Sequence, residues 1–149
     1  MRDLHPDRER ITDLLYDYAQ CLDEARYRDW LALFADETTY RVMLRLNRER
    51  HEPLYLLSED KPALEARIKG YEQEVLPTTL HLVTNVRVHA AGDGAARAES
   101  CFSIYRNGVP RLAGRYEHEV RKQADDWRIT SCLVTLDAAP MDDIIQVPI

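Results

Sequence analysis

After Pro77 the apolar residues stop recurring every three or four positions and begin to alternate, and they do so in four stretches, 79 to 89, 96 to 106, 111 to 122 and 127 to 136. Alternation is the mark of strands with one covered face. The turn-forming residues between them, Gly92-Asp93-Gly94 and Ala124-Asp125-Asp126, predict hairpins, and Asn107-Gly108 opens a slightly longer connection that includes Pro110. Such short links require antiparallel neighbours.

The first half of the chain reads differently. Ile11, Leu14, Leu15, Tyr18, Ala19 and Leu22 recur at helical spacing and define the buried stripe of an amphipathic helix. Residues 29 to 34 (Asp-Trp-Leu-Ala-Leu-Phe) read as a short second helix, and Thr38 to Val42 as a strand by its β-branched and aromatic content. Residues 45 to 53 are charged without a core pattern, which predicts a loop or solvated extension. Ser58 or Asp60 can cap a third helix with Pro62 in its first turn, running to about Glu72 with Leu64, Ile68 and Tyr71 on one side. Helices grouped before hairpin-linked strands indicate an α+β fold, because parallel α/β folds need a helix between successive strands. A twisted antiparallel sheet curled around such helices encloses a pocket.

At 149 residues the chain has room for one core, so a single domain over 1–149 is expected. The net charge of -6 offers no basic face for nucleic acid, and no apolar run approaches the ~20 residues of a membrane span. Cys21, Cys101 and Cys132 are distant and odd in number, which fits reduced thiols in a cytoplasmic protein.

Chemistry has few places to reside. One face of the 79 to 89 stretch reads Thr79, His81, Val83, Asn85, Arg87, His89, and the other, Leu80, Leu82, Thr84, Val86, Val88, is apolar. His81 therefore lies either on an outer face or in a polar pocket at one end of the concave face. Asp23, near the end of the first helix, can reach the sheet, and a carboxylate on one imidazole nitrogen fixes the tautomer and raises the basicity of the other. The pair would then act in catalysis, or simply hold helix to sheet. Tyr16, Tyr27, Tyr40, Tyr55 and His118 are candidates for further pocket residues, or for core, while His5, His51 and His89 sit among charged residues. The sequence has no H-x-x-x-H, Cys/His cluster, phosphate loop or G-x-S-x-G, so no cofactor or metal is expected on this chain.

Three segments resemble, in order and spacing, the β (small) subunits of aromatic-ring-hydroxylating dioxygenases: Leu22 to Leu33, Asp60 to Ile68, and His81-Leu82-Val83-Thr84-Asn85-Val86-Arg87-Val88. Asp126-Trp127-Arg128-Ile129, Leu136-Asp137 and the apolar tail agree with that family's ending. The resemblance implies a nuclear-transport-factor-2-like (cystatin-like) cone that assembles in threes and supports large subunits holding a Rieske cluster and mononuclear iron. The chain is shorter than is usual there, and residues 40 to 57 lack the family's proline-rich extended character. Tyr16 to Asp23 and Arg28-Asp29-Trp30 more loosely resemble scytalone dehydratase of the SnoaL-like group. That likeness implies cofactor-free dehydration, cyclisation or isomerisation of a small aromatic or polyketide-like ligand by Asp23 and His81, with Leu22 where that family has a tyrosine. A homo-oligomer, trimer or dimer, is expected from the tail, where Ile144, Ile145, Val147 and Ile149 would otherwise be exposed, the alternative being that the tail packs on its own sheet.

Overall fold

The computed structural model describes residues 6–138 and Ile149. Helix α1 (Arg8–Asp23) buries the predicted stripe, Ile11, Leu14, Leu15, Tyr18, Ala19 and Leu22, together with Cys21. It stops where Ala25 takes a left-handed conformation (φ 55°) and the Arg26 N–H returns to the Cys21 carbonyl at 2.8 Å, leaving Asp23 on the last turn. Helix α2 (Tyr27–Ala32) buries Tyr27, Trp30 and Leu31. Phe34, expected to end it, instead begins strand β1 (Phe34–Leu44).

The charged stretch after β1 forms one helical turn, α3 (Arg45–Glu49), in which the Arg45 guanidinium bonds Glu49 one turn on at 2.8 Å. It buries no residue, as the missing core pattern requires. The edge strand β2 (Tyr55–Glu59) pairs with β1 and was hidden from sequence because Tyr55, Leu56 and Leu57 do not alternate. Helix α4 (Lys61–Tyr71) starts at Asp60, whose carboxylate accepts the Ala63 N–H at 3.0 Å, with Pro62 in the first turn.

Strands β3 (Thr79–Ala90), β4 (Ala95–Arg106), β5 (Val109–Gln123) and β6 (Asp126–Leu136) form the expected antiparallel meander. The full order is β2-β1-β6-β5-β4-β3. β1 lies parallel to β6, a pairing between segments about ninety residues apart that no hairpin signal encodes. The Asn107-Gly108 link is a tight two-residue turn rather than a longer one: φ is 51° and 75°, the left-handed pair a type I′ hairpin needs. Pro110 accordingly sits inside β5, beside a register shift at Ile104/Tyr105 that tolerates its missing N–H.

β3 reverses its faces part-way. Thr79 and His81 are buried while Leu80 and Leu82 are 51% and 43% exposed, the opposite of what the apolar alternation suggests. Beyond a register shift between Thr84 and Arg87, where Asn85 takes φ 55°, Val86 and Val88 turn to the core. The bulge shifts the phase by one residue.

Aromatic rings fill the curve of the sheet. Tyr18, Trp30, Phe34, Tyr40 and Tyr116 are all fully buried. Trp30 meets Phe34 at 4.8 Å and Tyr18 at 5.6 Å between ring centres, and Phe102 stacks on Tyr116 at 4.3 Å. Burying side chains of this size contributes on the order of 2–3 kcal/mol each.

Candidate functional site

The last turn of α1 and the first residues of β3 bring Asp23 and His81 together. His81 Nδ1 lies 2.5 Å from Asp23 Oδ1, the His81 backbone N–H donates to both carboxylate oxygens at 3.0 Å, and Thr79 Oγ1 donates to Oδ1 at 3.3 Å. A carboxylate accepting several donors holds the imidazole with its proton on Nδ1 and leaves the Nε2 lone pair free. Nε2 is buried with no hydrogen-bond partner among the described residues. The His81 side chain is 1% exposed and that of Asp23 18%.

Two concave volumes among the described residues lie apart from the pair. A concave volume of about 1300 Å³ is bordered by Arg45, Arg48, Arg87, Glu99, Arg115 and Glu117, and another of about 380 Å³ by Ser103, Pro110 and Leu112; Asp23 and His81 line neither. Of the pocket candidates, Tyr40 and His118 are interior. Tyr16 and Tyr55 are not: Tyr16 is 48% exposed, off the buried stripe of α1, and Tyr55, 39% exposed, lies on the edge strand under the Arg41 guanidinium, 5.0 Å from its ring centre. Tyr27 is buried and packs on Tyr71 at 5.7 Å between ring centres. His51 and His89 are exposed as expected, and His5 lies outside the described residues.

A second polar group occupies the middle of the cone. His118 Nε2 is 3.4 Å from Cys132 Sγ, which is 3.8 Å from Tyr18 Oη. Burial pushes the Cys132 thiol up to about 12 and the His118 imidazole down to about 4, so both are neutral near pH 7. Tyr116, 5.4 Å from His118 between ring centres, and Tyr18 complete this group. Neither was singled out from sequence, although Tyr18 falls on the helical stripe and Tyr116 two residues before His118 on the same strand face.

The depressed His118 value has a consequence for stability. Its folded pKa of about 4 lies below the ordinary 6.5, so between those values the unfolded chain binds the extra proton. The stability contributed by keeping His118 neutral is complete above pH 6.5 and falls as pH drops toward 4, by roughly 3 kcal/mol. Urea unfolding at pH 7 and at pH 4.5 should show a loss that is clearly smaller in His118→Phe; equal losses would remove the imidazole as its source.

Helices packed on a six-stranded curled sheet define the α+β cone, and the solved structures agree. An NTF2-like protein with a cystatin-like fold from Novosphingobium aromaticivorans superposes with a TM-score of 0.69 at 18% identity, over 95% of this chain and 90% of that one. Residues 18–143 match the family described as ring hydroxylating beta subunit, and the chain belongs to that family. It is 28% identical to the small oxygenase component of the p-cumate 2,3-dioxygenase system of Pseudomonas putida, over 88% of this chain and 81% of that protein. It is 29% identical to the beta subunit of 3-phenylpropionate/cinnamic acid dioxygenase of Photorhabdus laumondii, over 87% and 83%. Among the described residues no group of three or more His, Cys, Asp or Glu is placed to hold a metal ion. No helix among them is long and apolar enough to cross a membrane.

Proposed function

We propose that this chain is a single-domain small subunit of an aromatic-ring-hydroxylating oxygenase, acting in the cytoplasm as the structural support of a large subunit that carries the Rieske cluster and iron. The observation that carries this reading is the family match, which spans the chain from the middle of α1 past the end of β6. Three free thiols suit a reducing compartment. Self-association, as a trimer, is supported by Leu80 and Leu82, two exposed apolar residues side by side on the outer face of edge strand β3. The tail contributes less to that argument than the sequence suggested: Ile149 is buried in its own chain, and Ile144, Ile145 and Val147 lie outside the described residues.

Independent acid–base catalysis by Asp23 and His81 is less supported. The pair has the geometry of a general base, but proton abstraction requires a substrate held within about 3 Å of Nε2, and neither large cavity reaches it. Co-expression with a Rieske-type large subunit is the test. A complex that survives size-exclusion chromatography, with the isolated chain sedimenting as a trimer, is the expected result. A chain that stays monomeric at micromolar concentration and binds no large subunit would refute the reading.

A further inference from the structure

Ile149 lies inside the cone, 1% exposed, among the core residues. Two fully buried phenols hold its backbone. Tyr40 Oη accepts the Ile149 N–H at 2.9 Å and donates to the Ile149 oxygen at 3.1 Å, and Tyr18 Oη donates to the same oxygen. We propose that this interior is a binding site for a small molecule bearing a carboxylate or carbonyl oxygen on a compact apolar body, and that Ile149 is its resident, displaceable occupant.

Two hydroxyl donors converging on one atom recognise an acceptor. Burial raises the pKa of both phenols, so they remain donors at any physiological pH. The surrounding wall is the apolar body's half of the site: Trp30 and Phe34 stand 5.6 and 6.2 Å from the Tyr18 ring centre. Ile149 also leaves polar groups of that wall unmatched. Tyr116 Oη and His118 Nδ1 are buried without a hydrogen-bond partner among the described residues, and their rings lie 5.5 and 5.3 Å from that of Tyr18. A ligand with a second polar atom can satisfy groups that Ile149 does not.

The probe is 3-methylpentanoate, which is isoleucine without its amino group. Added to the 149-residue chain, it should speed solvent exchange of the Ile149 amide, followed by NMR, by at least about tenfold as Tyr40 lets go, a factor typical of one lost hydrogen bond. Unchanged exchange at saturating probe, or no binding by calorimetry, would overturn the proposal. Ile149→Gly, which empties the apolar part of the site, should bind the probe about tenfold more tightly than the full chain, and Tyr18→Phe with Tyr40→Phe in that background should abolish the gain. Binding that ignores the two phenols would also overturn it. Neither measurement involves a large subunit, so failure here leaves the assembly reading intact, and loss of that reading leaves this site.

Discussion

Replacing Gly114 by alanine is expected to eliminate soluble, folded protein. Gly114 lies buried on β5 between Phe102 of β4 and Leu136 of β6. A methyl group there would meet the Thr135 carbonyl oxygen at 2.0 Å, its carbon at 3.0 Å and Phe102 Cζ at 3.1 Å. The first contact is with backbone, so no rotamer change relieves it. Phe102 is confined as well, stacked on Tyr116 at 4.3 Å. Relief requires prising β6 from β5, and β6 is also the strand through which β1 joins the sheet. Ordinary overpacking costs about 1–3 kcal/mol, whereas a main-chain collision that breaks a central ladder should exceed this and consume much of a domain's total of about 5–15 kcal/mol. Soluble yield and thermal melting by circular dichroism are the readouts. Adding Phe102→Leu should not rescue the variant, because the ring is the lesser obstacle. A Gly114→Ala chain melting within about 3 °C of the parent would show that β5 and β6 do not approach so closely.

The parts of this fold that were legible in sequence are those set by local chemistry. The α1 stripe, the Asp60 cap with Pro62 behind it, and the Gly92 and Ala124 turns each depend on a few neighbouring residues. What stayed hidden depends on partners distant in the chain or on one backbone angle. Nothing near Thr38 to Val42 announces that this strand runs parallel to residues 131 to 134. Asn85, through a single left-handed φ, moves Leu80 and Leu82 outward and Val86 and Val88 inward, so that an unbroken alternation misassigns the face. The candidate site divides in the same way. Asp23 and His81 could be paired because a helix end and a strand start are natural neighbours in an α+β cone, and they do meet. The grip of Tyr18 and Tyr40 on Ile149 could not be read: Tyr40 stood among the pocket candidates and Tyr18 on the buried helical stripe, but nothing local links either to a residue more than a hundred positions away.

Asp23→Ala is expected to be the most damaging change in the candidate site, and it also separates the two readings of the pair. Asp23 accepts the His81 main-chain N–H, its ring nitrogen and the Thr79 hydroxyl, and so ties the end of α1 to β3. Alanine leaves the buried His81 N–H and imidazole without their acceptor, a loss of about 2–4 kcal/mol, moderated because the carboxylate is 18% exposed and water can partly replace it. His81→Ala removes only one of the carboxylate's donors and should cost less. Asp23→Asn keeps an oxygen for the main-chain N–H but turns an amide donor toward the ring or forces the other tautomer, so its melting temperature should fall between those of the parent and Asp23→Ala. If the pair is a strut, the assembled oxygenase with Asp23→Asn retains its turnover per folded complex. A fall of about 10²–10⁴-fold in a reaction catalysed by the isolated chain, with melting unaltered, would instead assign Asp23 and His81 to acid–base work and displace the structural reading.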